Sequence, residues 1–188
     1  MDNAPLVSIV MNCFNGQTYL KTALDSVLAQ TYQNWELIFW DNQSVDKSVE
    51  IFKSYKDKRF KFFSSSKHTI LYESRNNAIQ KANGDLIAFL DTDDYWLSEK
   101  LEKQVKLFED DKVALVYGNF WMINEQSFFS KKIYSKKKLP TGNVLNAILS
   151  QYSVGLLTII IRKKYLQNIK KVFNTQYDLL ADYDFVIN

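Results

Sequence analysis

The 188-residue chain has one cysteine, one histidine, two prolines and five glycines, and each scarcity excludes something. With Cys13 alone there is no internal disulfide, which points to a reducing compartment. Cys13 has no activating partner in sequence and reads as a small buried residue. His68 is the only histidine available for a hydroxyl–histidine–acid relay, and its place in the polar stretch SSSKHT speaks against one. So few glycines and prolines leave no flexible linker. No stretch approaches the roughly 20 apolar residues that span a bilayer. The opening MDNAPLVSIVMNCF begins on an acid and has no basic region before its apolar run, unlike a secretory leader. A net charge of +3 is too small to mark nucleic acid as a partner. What is abundant is apolar: 46% hydrophobic against 24% charged residues fits one globular domain with a sizeable core.

The apolar residues come in two alternating patterns. Short runs rich in β-branched and aromatic residues predict strands over Leu6–Met11, Trp35–Trp40, Phe60–Phe63, Leu86–Leu90 and Val113–Tyr117. Between them, helical spacing predicts helices over Gln17–Gln30, from Asp46, over Ser74–Ala82 with Asn83-Gly84 as the stop, and over Ser98–Phe108 with Ser98 as N-cap. Alternation of this kind predicts an α/β fold with a mostly parallel sheet between helices. After Asn119 the pattern loosens. Lys131-Lys132 and Lys136-Lys137-Lys138 read as a basic loop, Asn143–Leu149 as a short helix and Leu157–Ile161 as a strand. The lysine run is either a solvated loop or a contact for an anionic partner such as a lipid head group, a diphosphate-linked acceptor or an acidic glycan.

In parallel sheets ligands bind beyond the carboxyl ends of the strands. Polar clusters sit at three such ends: Asn12-Cys13-Phe14-Asn15, Asp41-Asn42-Gln43-Ser44 and Asp91-Thr92-Asp93-Asp94. In the third, capping of the following helix accounts for Asp94. It does not account for Asp91 and Asp93, which strand alternation places on one side with Thr92 opposite. Two such carboxylates suit Mg²⁺ or Mn²⁺ carrying a phosphate. Asp41-Asn42 has two readings, a turn or recognition of a base or ribose. Arg75 likewise is either a solvated helix arginine or a bidentate partner for a diphosphate.

Four segments in order resemble the family 2 glycosyltransferases, which have the GT-A fold: VSIVMNCFNGQTYLKTALDSVLAQTYQNWELIFWDNQSVDKS, ESRNNAIQKANGDLIAFLDTDD, ALVYGNFWMINE and LLADYDFVIN. The resemblance implies a Rossmann-like α/β/α sandwich. Residues 1–119 would form its nucleotide-sugar-binding half and 120–188 an acceptor-side half, shorter than the family's usual extent. The implied reaction moves a sugar from a nucleotide diphosphate, commonly UDP-linked, to an acceptor hydroxyl with inversion. Asn12 and Phe14 would lie at the nucleoside, Asp41 and Asn42 on base and ribose, and Arg75 near the diphosphate. Asp91 would touch ribose or sugar, Asp93 would hold Mn²⁺ or Mg²⁺, and Trp96 would border the donor sugar. Asp182 would be the general base. Asn42 and Ala181 depart from the acidic residues usual there, which leaves a non-catalytic nucleotide-sugar-binding relative as the alternative. A nucleotidyltransferase is the weaker rival, because Asn15-Gly16-Gln17 has only one glycine. The resemblance further implies a glycan or lipid-linked acceptor in surface-polysaccharide assembly. It places the protein in the cytoplasm, with peripheral association at the inner membrane face.

Overall fold

The computed structural model describes residues 4–123, 131–167, 169, 171–177 and 180–187. Four of the apolar runs become the parallel strands β1 (Val7–Cys13), β2 (Trp35–Asp41), β3 (Phe60–Ser64) and β4 (Leu86–Phe89). β5 (Leu115–Val116) and β8 (Ile160–Arg162) complete a six-stranded sheet in the order β3-β2-β1-β4-β8-β5, in which β8 runs antiparallel to both neighbours. A separate ribbon pairs β6 (Trp121–Ile123) with β7 (Lys131–Ile133). The helices are α1 (Leu20–Leu28), α2 (Ser48–Ser54), α3 (Leu71–Ile79), α4 (Lys100–Val105), α5 (Leu145–Ser150) and α6 (Ala181–Ile187).

Strand alternation divides the core in two. Ile9, Met11, Leu37, Phe39 and Ala88 face one way and pack with Leu24 of α1, Phe52 of α2 and Leu101 of α4. Val10, Ile38, Trp40, Ile87 and Phe89 face the other way and pack with Ala78 of α3, Ile148 of α5 and Phe185 of α6. Both sheet faces are therefore covered, so β1, β2 and β4 are buried at every position. The expected α/β/α sandwich is the architecture observed. Gln30, itself buried, fixes α1 to α4: its Nε2 donates to the Leu97 carbonyl (2.8 Å) and its Oε1 accepts from the Leu101 N–H (3.0 Å).

Several local expectations are corrected. β4 ends at Phe89, and Asp91–Asp94 form a turn closed by the Asp94 N–H on the Asp91 carbonyl (3.2 Å), so strand alternation does not place those side chains. α4 begins at Lys100, too far along for Asp94 to cap it, and its N-cap Glu99 makes no side-chain capping bond. Ser98 does not cap it either; its carbonyl accepts from Thr31 instead (2.9 Å). α3 begins at Leu71, three residues ahead of Ser74. Residues 156–158 form a 3₁₀ turn where a strand was expected. Lys131 and Lys132 lie in β7 rather than in a loop.

Gly84 was expected as a helix stop, but packing is what requires it there. A Cβ at that position would lie 2.5 Å from the Leu6 carbonyl oxygen and 2.7 Å from the Ser8 nitrogen. Gly84→Ala should therefore cost about 1–3 kcal/mol, measured as a lower urea midpoint with an unchanged slope. Lys100 supplies a second test. Its Nζ is buried 3.9 Å from the Trp96 ring centroid with no hydrogen-bond partner, and burial pulls its pKa down to about 7. Between about pH 7 and 10 the unfolded amine keeps a proton that the folded one has lost, so this group makes stability rise with pH across that window. Lys100→Met should flatten the rise and raise the melting temperature at neutral pH.

Candidate functional site

The parallel register assembles one rim. Cys13 pairs with Asp41 and Asp41 with Ser64, so β1, β2 and β3 end level. The Leu90 N–H bonds to the Val10 carbonyl (3.1 Å), which brings the Asp91 turn to the same edge. Two rim loops then lock together. The N–H groups of Asn15, Gly16 and Gln17 donate to Ser44 Oγ, Ser48 Oγ and Asp46 Oδ2 at 2.9–3.0 Å. Val45 and Lys47 donate back to Asn15 Oδ1 and Gln17 Oε1. Asn15 and Gln43 take positive φ (54° and 69°), a conformation uncommon outside glycine that the interlocked turns hold in place.

Asn12, Phe14, Asn42, His68 and Thr69 line a cavity of about 200 Å³ on this rim. Asn12 is 93% buried by its 7% exposure, and neither polar atom of its side-chain amide has a hydrogen-bond partner. A buried amide left unpaired is costly, and among the described residues Asn12 leaves a donor and an acceptor unmet beside the cavity. Phe14 is half-exposed and meets the His68 ring at 4.3 Å between centroids. His68 Nδ1 lies 3.0 Å from the Asn42 carbonyl oxygen, which can only accept, so Nδ1 carries the proton. His68 was set aside in the sequence; its position just after the end of β3 was the signal available.

Asp41 and Asn42 differ in what they do. Both Asp41 oxygens accept from the Ser44 N–H (3.3 Å), the contact of a turn. The Asn42 amide is fully engaged with Thr69: Nδ2 donates to its carbonyl (2.7 Å), while Oδ1 accepts from its N–H (3.1 Å) and hydroxyl (3.2 Å). This bidentate grip needs a donor and an acceptor on one side chain, which an ionised Asp lacks. Asn42 also anchors the loop that leads into α3.

α3 carries Arg75 into the interior, where its side chain is 2% exposed. Nη2 bonds to Asp91 Oδ1 (2.7 Å) and Nη1 to Asp182 Oδ1 (3.0 Å), with the Phe173 ring 5.2 Å from the guanidinium carbon. Asp182 opens α6 and is partly exposed. Burial raises its pKa, the Arg75 charge pulls it back, and the Asp91 charge raises it again. Ala181 beside it is fully buried in the core. Tyr152, whose ring meets Tyr183 edge-on at 5.1 Å, has its pKa raised by burial and by Asp182.

Asp93 is exposed on the turn. Asp94 has its pKa pushed up to about 6, first by burial and then by the charges of Asp91 and Asp93. Among the described residues no group of three or more His, Cys, Asp or Glu could hold a metal ion. The oxygen donors of this turn suit a hard cation that brings phosphate oxygens of its own, not a cage built by protein alone. Trp96, expected beside the donor sugar, is 5% exposed and packs in the core, with Nε1 on the Leu157 carbonyl (2.9 Å). Its neighbour Tyr95 is the exposed aromatic of this turn.

The model of glycosyl transferase family 2 matches residues 8–169. The chain is 33% identical over 161 residues to the Escherichia coli UDP-Glc:alpha-D-GlcNAc-diphosphoundecaprenol beta-1,3-glucosyltransferase WfgD, covering 86% of this chain and 62% of that one. It is 29% identical over 169 residues to the putative teichuronic acid biosynthesis glycosyltransferase TuaG of Bacillus subtilis, covering 88% and 66%. The chain thus spans less than two thirds of the length of these relatives. Among solved structures, S. aureus TarS 1–349 in complex with UDP superposes with a TM-score of 0.79 at 22% identity, covering 95% of this chain and 53% of that one. The mannosyltransferase PcManGT from Pyrobaculum calidifontis, in complex with GDP-Man and Mn²⁺, gives 0.70 at 19%, covering 96% and 50%. The fold is GT-A, as the sequence led us to expect.

The Asn42–Thr69 grip generates its own test. Asn42→Asp would set a carboxylate oxygen against the Thr69 carbonyl and should cost about 1–3 kcal/mol at neutral pH. Protonation restores a donor, so the deficit should shrink as pH falls. Urea unfolding of wild type and variant at neutral and mildly acidic pH reads both effects.

Proposed function

The chain belongs to glycosyl transferase family 2, and from that premise we propose that it transfers a sugar from a nucleoside diphosphate donor to an acceptor hydroxyl with inversion, in assembly of a surface polysaccharide. The observation that carries this reading is the double ion pair of Arg75. One buried guanidinium holds the candidate base Asp182 beside Asp91, on the rim that also bears the cavity. The name of the E. coli relative supports a UDP-linked donor and a lipid-diphosphate acceptor, and that of the B. subtilis relative, with its teichuronic acid biosynthesis, supports a role in building a glycan. In this reading residues 1–119 receive the donor and the later residues face the acceptor, at the inner face of the cytoplasmic membrane.

The nucleoside enters the cavity, where the unpaired Asn12 amide meets its polar edge and Phe14 its ring. Asp41 stands at the base and ribose, and Asn42 acts through the Thr69 loop that it holds. Asp91 faces the ribose or sugar, and Trp96 buttresses the turn from behind. Asp93 would hold Mg²⁺ or Mn²⁺, and such a cation would supply positive charge against the leaving diphosphate. Arg75 orients Asp91 and Asp182 and keeps the latter ionised against its burial. Asp182 Oδ accepts the proton of the acceptor hydroxyl. The freed oxygen pair forms the bond to the anomeric carbon as the bond to the diphosphate breaks, and the nucleoside diphosphate leaves on the opposite face. One base suffices because no sugar–enzyme bond forms.

The test separates binding from turnover. UDP or a UDP-sugar with Mn²⁺ should raise the melting temperature, and Asp93→Ala should abolish the metal-dependent part of the shift. Asp182→Asn should bind donor as wild type does and lose about 10²–10⁴ in kcat. Wild-type turnover by Asp182→Asn would remove Asp182 as the base. No thermal shift with any nucleoside diphosphate would sink the whole reading.

A further inference from the structure

We propose that the β6–β7 ribbon is a docking surface for an anionic lipid bilayer. This goes beyond the transfer reading, because it concerns a surface outside the cavity and its test reads binding rather than turnover. Trp121, Met122 and Ile123 are consecutive, and they are 50%, 43% and 47% exposed. Consecutive strand residues point to opposite faces, so the ribbon rests on the protein with neither face of β6. Its register sets Trp121 opposite Ile133 and Ile123 opposite Lys131, which gives one face three large apolar side chains and a lysine. Met122 and Lys132 share the other.

Charge completes the surface. Lys131, Lys132, Lys136, Lys137 and Lys138 are all exposed, and among the described residues none is ion-paired. Ser135 ties the second lysine group to the base of the ribbon: its N–H donates to Asn119 Oδ1 (3.1 Å) and its carbonyl accepts from Asn119 Nδ2 (2.6 Å). From residue 112 to 177 the sequence has eleven lysines and arginines and a single acid, Glu125. A tryptophan and aliphatic side chains flanked by lysines match the boundary between head groups and acyl chains. Apolar insertion and basic attraction are each weak alone, and together they give reversible membrane binding. Nucleic acid and acidic glycan would use the lysines, but neither would use Met122, Ile123 and Ile133, which offer no stacking surface.

The ribbon is also coupled to the proposed base. Tyr134, the residue after β7, stacks on Phe120 (4.6 Å) and donates its hydroxyl to the Tyr152 carbonyl (2.9 Å). Tyr152 meets the ring of Tyr183, the residue after Asp182. On the transfer reading, a docked ribbon would set α6 close to an acceptor held in the same bilayer.

The 188-residue chain should co-float with vesicles of phosphatidylcholine plus phosphatidylglycerol and not with phosphatidylcholine alone. Binding should fall about tenfold or more as salt screens the charges. The triple variant Lys136→Gln, Lys137→Gln, Lys138→Gln should lose a similar factor, and so should Trp121→Ser with Ile123→Ser. The triple variant changes exposed side chains only and keeps the test valid if the second variant fails to fold. Equal binding to neutral vesicles, no binding to either, or wild-type binding by the triple variant would each overturn the proposal. So would binding of a soluble polyanion without vesicles, or a self-association that Trp121→Ser with Ile123→Ser abolishes without any vesicle binding. The nucleoside diphosphate thermal shift should be unchanged in both variants, so failure here leaves the transfer reading where it stands.

Discussion

Burying a guanidinium to 2% exposure is costly unless anions lie beside it, and Arg75 meets that need with two carboxylates from distant parts of the chain. Asp91 comes from the turn that follows β4 and Asp182 from the first turn of α6. The residues between 91 and 182 must fold back until those two side chains flank one arginine. The aromatic bed of Phe173, Phe89 and Phe185 beneath the arginine joins the pair to the second core. Without the arginine, two carboxylates would be left side by side with no cation between them. Without either carboxylate, a buried charge would be left underpaired. The site and the closure of the fold thus depend on the same contact.

Around that contact the rim is rigid where it meets the cavity and open where it meets solvent. The 12–17 and 42–48 loops bind each other through backbone N–H groups and short polar side chains, so their positive-φ residues are over-determined. The Asp91 turn is different. It carries three carboxylates, and burial first and then the charges of Asp91 and Asp93 push Asp94 well above its ordinary range. That turn crowds negative charge, whereas the 12–17 and 42–48 loops are held to each other by hydrogen bonds.

The sandwich was legible in the sequence because strands buried on both faces must be apolar at every position, and LVSIVM, WELIFW and LIAFL are close to that. The rim followed, because polar residues ending such runs have only one edge to gather at. What the sequence hid were features decided by tertiary packing. Gly84 looked like a helix stop until the neighbouring strand approached it. Trp96 lies next to the acidic turn, but its ring goes into the core because the Leu157 carbonyl is there to accept its N–H. His68 was set aside because it lies in a polar stretch, yet its Nδ1 meets a backbone carbonyl that no motif announces. The cation role expected of Asp91 and Asp93 was read from their spacing, whereas the base role expected of Asp182 came only with the resemblance to family 2.

The position of β8 bears on how the molecule can be made. Inserted antiparallel between β4 and β5, it is among the described residues the one strand that pairs β5 to the sheet. β1 to β4 can pair as soon as the first ninety or so residues exist, but β5 must wait as an unpaired segment until residues 160–162 arrive. The long-range closure is therefore a late step. On a ribosome, β1 to β4 would be in place while the later residues were still being synthesised, and the edge of β4 would stay open to other chains for that interval.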